Sequence, residues 1–242
     1  MPAGVARTAP ARPRPSARVD RQQEDPVRSP RVAVDVVIFT IDEGELRALL
    51  VQVNNGRFIG RWAFPGGIVP VGEAPEAAAI RELQAQTGIK GVYLEQLRTF
   101  GDPGRDPKAH VVSIAYFALI PAKAETRPTC AKYAGVKWAS VKSLSRLAYD
   151  HNRIADDALS RLRAKLAYTN VAFSLLPTAF TLGELQEVYE IILGRKLDRR
   201  NFRKKIVALG LLRALGRQRR GPHRPAHLYG FRRRSLMNVQ IL

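Results

Sequence analysis

From residue 32 onward the chain alternates short β-branched runs with turn residues. Val32–Ile41 (VAVDVVIFTI) reads as a strand, DEGE as a turn, and Leu46–Val53 (LRALLVQV) as the returning strand. Asn55-Gly56 supplies turn chemistry in the following loop, and Ala63–Gly67 leads through a further short strand. The pattern then lengthens. Ala77, Ala78, Ile80, Leu83 and Ala85 lie among strong helix formers over Glu73–Thr87, and Gly88 sits where such a helix stops. Val92–Phe100 is read as a strand, GDPGRDPKAH as a Gly/Pro loop, and Val111–Pro121 as the clearest buried strand. A loop containing Pro128 precedes KWASVKSL, a strand passing into a turn. Over Asp150–Leu166 the residues Ile154, Leu159, Leu162 and Leu166 share a helical face.

These elements predict an α/β sandwich over residues 31–167. Residues 1–30, rich in Pro, Ala and Arg, are expected to be a disordered basic tail. Residues 168–180, with Pro177, act as a connector, and 181–242 have another rhythm. Thr181 and Glu184 match a capping box opening a helix to Leu193, with Leu185, Val188, Tyr189 and Ile192 at core spacing and Gly194 at its end. Asp198 is the expected N-cap of a second helix, in which Phe202, Ile206 and Leu209 face inward. LLRAL and AHLYGF flank a basic tip. Helix, turn, basic helix and basic hairpin follow the order of a winged helix-turn-helix. A further helix is hard to place, with Val171–Leu176 as the candidate.

Charge sharpens this division. The net charge is +19 over 242 residues. Residues 195–234 hold 15 basic side chains against one acid, Asp198, whereas 32–194 are nearly balanced. Such concentration points to a polyanionic partner, nucleic acid first. Cys130 is the one cysteine, which excludes an intrachain disulfide and a cysteine metal site and fits a reducing cytoplasm. No window reaches the apolar length of a membrane span, and the N-terminus lacks a signal-peptide core.

One spaced motif carries chemistry. Gly67, Glu73, Arg81, Glu82, Leu83, Gly88 and Ile89 reproduce the spacing G-x5-E-x7-R-E-U-x-E-E-x-G-U, with U a bulky apolar residue, over 23 residues. This resembles the Nudix box. Two adjacent glutamates of that pattern fall here at Ala85 and Gln86. In the family, carboxylates on this helix hold divalent metals against a pyrophosphate. Alanine offers no oxygen and glutamine only a neutral one, so hydrolysis is expected to be absent or residual, with no cofactor required and no bound metal. Glu73, Arg81 and Glu82 are left as structural members of the box, with Arg81 expected to pair with Glu73.

RWAFPGGIVPVGEAPEAAAIRELQAQTGI, TFGDPGRDPKAHVVSIAYFAL and TLGELQEVYEIILGRKLDRRNFRKKIVALGLL together resemble the Nudix-related transcriptional regulators of NAD metabolism, the NrtR family. The resemblance implies a Nudix α/β/α sandwich with a mixed sheet, followed by a winged helix-turn-helix. It further implies a homodimeric repressor of NAD biosynthesis or salvage genes that binds a palindromic duplex operator and is released by ADP-ribose. Candidate ligand contacts are Arg61, Lys108 and His110 for the pyrophosphate, the amides of Gly66 and Gly67 for close approach, and Phe64 and Phe100 for stacking on adenine, although Phe64 fits plain core equally well. Asp102 and Asp106 read as caps of loop amides, and His151 and Asn152 as an ordinary helix start. Candidate DNA contacts are Arg199, Arg200, Asn201, Arg203, Lys204 and Lys205 on the second helix, with Arg217, Arg219, Arg220 and Arg224 on the wing. The alternatives are an active Nudix ADP-ribose pyrophosphatase and a related regulator with another nucleotide or sugar ligand.

Overall fold

The computed structural model describes residues 29–122, 133–219 and 225–241. The tail up to residue 28, the loop with Pro128 and Cys130, and the wing tip with Arg220 and Arg224 lie outside the described residues.

β1 (Arg31–Asp42) is the centre of a seven-stranded mixed sheet. It pairs antiparallel with β2 (Glu45–Val53) and β4 (Gly66–Ile68), and parallel with β6 (Val111–Leu119). β3 (Trp62–Ala63) and β7 (Tyr133–Ser140) add to β2, and β5 (Glu95–Phe100) forms the edge beyond β6. Successive side chains of a strand point to opposite faces. Accordingly Val34, Val36 and Ile38 pack with Ala78, Ala79 and Leu83 of α1 (Pro75–Thr87), while Val37 and Phe39 pack with Ile154, Leu162 and Leu166 of α2 (His151–Tyr168). The near-continuous apolar run in β1 is thus explained by helices on both faces.

Two elements start later than their sequence patterns suggest. α1 begins at Pro75 rather than Glu73, since Pro suits the first helical turn. β5 begins at Glu95 rather than Val92, because Gly88 and Gly91 both turn through left-handed φ (78° and 66°) and residues 88–94 are used in crossing from helix to sheet edge. The candidate helix at Val171–Leu176 is only a 3-10 stretch, Val171–Ser174.

The second unit comprises α3 (Leu182–Leu193), α4 (Arg199–Ala208) and a hairpin of β8 (Leu212–Arg219) and β9 (Ala226–Phe231). Thr181 and Glu184 form the reciprocal capping box at α3, and Gly194 ends that helix in the left-handed conformation. The turn to α4 is fixed by Glu190, which accepts from Lys196 Nζ (2.8 Å) and Leu197 N (3.0 Å); these hydrogen bonds hold its pKa down to about 2.

No flexible linker separates the units. One apolar cluster runs from Phe39, Ile154, Leu162 and Leu166 through Val171 and Leu176 into Leu185, Tyr189, Ile192, Phe202 and Phe231. Arg163 Nε donates to Ile192 O at the end of α3 (2.9 Å). The C-terminal segment returns over the connector: Asn170 accepts from Met237 N (2.7 Å) and donates to Ser235 O (3.0 Å), while Arg234 donates to the carbonyls of Phe173, Leu176 and Pro177. No described helix is long and apolar enough to cross a membrane.

A shared core makes the two units unfold together. Both tryptophans, Trp62 and Trp138, lie in the sheet unit, so fluorescence reports that unit and far-UV dichroism reports both. In urea the two signals should give one coincident transition. Leu162→Ala, at a fully buried position of α2, should lower stability by about 2–5 kcal/mol with both signals moving together.

Candidate functional site

The box helix docks through Gln86. Its side chain is buried, its Nε2 donates to Gly66 O (2.7 Å), and its Oε1 accepts from Gly66 N (3.0 Å). A carboxamide meets both needs of one peptide unit; a carboxylate would place an acceptor against the Gly66 carbonyl. Nε2 also donates to Glu82 Oε2 (2.5 Å), and Arg81 donates to Glu82 (2.7 Å) and, through two nitrogens, to Glu73 (2.9 and 2.8 Å). These bonds from Arg81 lower the Glu73 pKa. The Arg81–Glu73 pair expected from the sequence is therefore present. The two box carboxylates share one guanidinium, and position 85 offers no side-chain oxygen. This donor set does not fit a divalent cation, and among the described residues no group of three or more His, Cys, Asp or Glu side chains is placed to hold one.

Beside the box, a cleft has two lobes. The first, about 190 Å³, lies between Asp35, Phe64, Gly66, Lys108, Arg31 and His151. The second, about 360 Å³, is lined by Arg57, Phe58, Arg61, Arg146 and Pro107. Arg105 and Tyr149 border both. Every charged side chain lining the second lobe is an arginine, so this lobe suits an anion.

Behind the cleft lies a buried polar network that the sequence reading missed. Asp35 interrupts the apolar run of β1 and faces the α2 side. Its Oδ2 accepts from Ser113 Oγ (2.6 Å) and Arg105 Nη2 (3.0 Å), and its Oδ1 lies 3.3 Å from His151 Nε2. Arg105 also donates to Asp150 through Nε and Nη2 (2.7–3.2 Å). Since His151 Nδ1 accepts from Phe64 N (2.9 Å), the ring proton belongs on Nε2, toward Asp35. Burial alone would raise the Asp35 pKa; His151, Arg105 and Ser113 outweigh it and hold the carboxyl well below the usual range. Burial likewise opposes the charge of Arg105, and Asp150 and Asp35 more than restore it. The visible signals were an Asp within a β-branched strand and an Arg in a Gly/Pro loop, but nothing local says that they meet.

The structure gathers some of the expected ligand residues and removes others. Arg61 lines the second lobe and Lys108 the first. Phe64 and Phe100 are 1% and 2% exposed, so neither ring offers a face to adenine; both belong to the core between sheet and α2. The Gly66 amide is taken by Gln86. Gly66 and Gly67 are small for packing reasons: a Cβ on Gly66 would meet Val34 O at 2.3 Å, and one on Gly67 would meet Glu82 Oε1 at 2.5 Å. His110 borders neither lobe and sits 3.4 Å from Gly101 O. Asp106 accepts from Lys108 N (2.8 Å), as a loop cap should, but Asp102 pairs with Arg153 instead. Asn152 accepts from Leu147 N (2.8 Å) beside the helix start, whereas His151 is part of the buried network and not an ordinary start residue.

The basic face lies on α4 and the hairpin. Asp198 Oδ1 caps α4 by accepting from Asn201 N (2.7 Å). Phe202 and Ile206 turn inward, and the Phe202 ring packs on Tyr189 with centroids 5.2 Å apart. Arg199, Arg200, Asn201, Lys204 and Lys205 are exposed. Arg203 is half-buried, with an Nε that has no hydrogen-bond partner. On β8, Arg217 and Arg219 are exposed, and Arg219 is paired with Glu184 of the capping box.

Residues 29–162 match the family model of the NUDIX domain, and residues 172–231 match that of the NrtR DNA-binding winged helix domain. The second match begins within the connector. The "ADPR responsive transcriptional repressor NtrR" of Acinetobacter baylyi is 37% identical over 213 residues, covering 86% of this chain and 85% of its own. A crystal structure of Shewanella oneidensis NrtR complexed with a 27mer DNA superposes with a TM-score of 0.73 at 35% identity, covering 83% of this chain and 93% of that one. The NUDIX domain of the same Shewanella protein, complexed with ADP ribose, gives a TM-score of 0.54 at 32% identity, covering 58% of this chain and 94% of that one.

Two substitutions test the polar contacts. Gln86→Glu removes the donor to the Gly66 carbonyl and should cost about 1–3 kcal/mol, read as a lower urea midpoint. Asp35 has a folded pKa below its unfolded value of about 3.9. Its stabilisation is therefore complete above about pH 5 and drains as pH falls toward the folded value. Asp35→Asn should cost about 2 kcal/mol at pH 7, and the gap to wild type should close on acidification below pH 4. A gap that widens in acid would reverse the sign assigned to Asp35.

Proposed function

The chain belongs to the NrtR family, a Nudix domain joined to the family's DNA-binding winged helix, and from that premise we propose that it is a DNA-binding repressor of NAD-metabolism genes that senses ADP-ribose in the cleft beside its box helix. One observation carries the reading: an anion-suited cleft and an outward basic helix are built on the same apolar core. Ligand occupancy therefore has a mechanical route to the DNA face.

The box supports binding over turnover. Ground-state recognition needs donors and shape, whereas hydrolysis needs stabilisation that grows in the transition state. The arginines of the second lobe supply the first. Gln86 serves as a structural clamp and Glu82 is engaged by two donors, so the metal-held charge stabilisation of phosphoryl chemistry has no carboxylate set behind it. We further propose a homodimer on a palindromic duplex, which suits the helix-turn-helix geometry of one basic helix in each successive major groove, and a cytoplasmic location, which suits a DNA-binding regulator. Among the site residues, Arg61, Lys108, Arg57 and Arg146 are the cations for the ligand phosphates. Arg199, Arg200, Asn201 and Arg203 lie toward the groove, and Lys204, Lys205, Arg217 and Arg219 toward phosphates.

Fluorescence anisotropy on a duplex selected from a random pool by the full-length protein tests this reading. ADP-ribose should weaken binding by at least tenfold, and no AMP should form with Mg²⁺ present over the same period. Lys204→Ala should reduce the slope of log K against log salt by about 0.9. Arg203→Ala should cost about 1–3 kcal/mol on the preferred duplex and far less on random DNA. Turnover of ADP-ribose at enzyme-like rates, or DNA binding indifferent to ADP-ribose, contradicts the proposal.

A further inference from the structure

We propose that Arg105 reads the anionic part of the ligand and reports it by changing partner, releasing Asp150 at the head of α2 so that the helix on which the winged domain rests can move. This rests on the functional reading above, and adds the contact and its route.

Arg105 is buried yet lines both lobes. In the second lobe every other charged side chain is also an arginine, so a phosphate seated there has no carboxylate in its lining; Asp35 and Asp106 line the first lobe. Ligand and carboxylates then compete for one planar fork, a geometry that suits phosphate as well as carboxylate. The two carboxylates do not hold it equally. Asp35 is also bonded by Ser113 and faces His151, which fixes it to the sheet. The Asp150 side-chain oxygens are bonded through Arg105 and are more exposed, 17% against 10%. Arg105 makes three hydrogen bonds to Asp150 and one to Asp35, yet Asp35 is anchored by Ser113 as well, so Asp150 is the carboxylate free to move once a ligand takes the fork.

Asp150 has a second place to go. It is the N-cap residue of α2, yet its side chain makes no cap hydrogen bond while it faces Arg105. Asp is among the preferred N-caps, accepting from amides two or three residues on. In this state the Asp150 backbone sits at φ −97° and ψ 23° and its carbonyl already accepts from Arg153 N (2.9 Å), so capping would need the residue to turn to the extended region; the carboxylate is then either counter-ion to Arg105 or cap of α2. Tyr149, just before it, has φ of 52°, a left-handed conformation that residues with a Cβ rarely adopt. Its ring lies against both Phe58 (centroids 4.5 Å apart) and His151 (5.3 Å), inside the cleft wall. A two-state element with a strained residue therefore sits where the ligand enters. The other end of α2 is tied to the DNA-binding unit by Arg163 on Ile192 O and by Leu162 and Leu166 in the shared core. An 18-residue helix spans about 27 Å, so a local event in the cleft reaches α3 along one rigid element.

Titration of the full-length protein with ADP-ribose by calorimetry, and hydrogen exchange of the ligand-free and ADP-ribose-saturated protein, test the two halves. Arg105→Lys keeps the charge and loses the fork; its ADP-ribose Kd should rise at least tenfold while its far-UV dichroism stays that of wild type. In wild type, exchange of the amides at 150–154 should change at least threefold on saturation. In Asp150→Asn the ADP-ribose Kd should be equal or lower, while the ratio of DNA affinities without and with ADP-ribose falls below threefold. Unchanged exchange at 150–154, or an Asp150→Asn protein with the wild-type ratio, overturns the switch. Unaltered ADP-ribose affinity in Arg105→Lys overturns the contact. Should wild type bind ADP-ribose and show the exchange change while its DNA affinity stays constant, the repressor reading fails and Arg105 keeps its role in the cleft.

Discussion

Helix α2 has to bury one long face twice. Its first half closes the sheet, through Ile154, Ala155 and Ala158, and its second half, through Leu162 and Leu166, also meets the core of the DNA-binding unit. Neither unit keeps a dry interior without it. Because interiors are close-packed, a helix in this position transmits displacement and does not absorb it. The returning C-terminal segment reinforces the junction, with Asn170 and Arg234 satisfying backbone groups that a connector of 3-10 turns would leave open.

Around that helix, polar groups are arranged so that each charge inside is matched. Arg105 lies between Asp35 and Asp150, and the energetic worth of such a buried group lies less in net stability than in the cost of breaking it. This makes the network a fixed reference for the cleft wall. The box helix is paired in the same way: Gln86 is bonded to a peptide unit and Glu82 to Arg81 and Gln86.

On the DNA side the division is between inward apolar and outward basic positions of one short helix. Phe202 and Ile206 anchor α4 against Tyr189, and the positions between carry Arg and Lys. Arg219 is paired with Glu184, the residue that completes the capping box of α3, so the wing is tied to the helix that α2 supports.

Much of this was written locally. The strand periodicity of β1 and β6, the capping box at Thr181, the Asp198 cap and the Arg81–Glu73 pair depend on residues close in sequence or on a fixed spacing, and the chain states such things directly. The two-unit division and the basic block were legible from charge and pattern alone. What the sequence by itself could not decide was which way an aromatic ring turns, or which distant side chains meet. Phe64 and Phe100 face the core because α2 covers their side of the sheet, and Asp35, Arg105, Asp150 and His151 converge from a strand, a loop and a helix start up to 116 positions apart. Burial and pairing across such separations are properties of the packed whole, since the dielectric and the partner of each group exist only once the chain has closed around it.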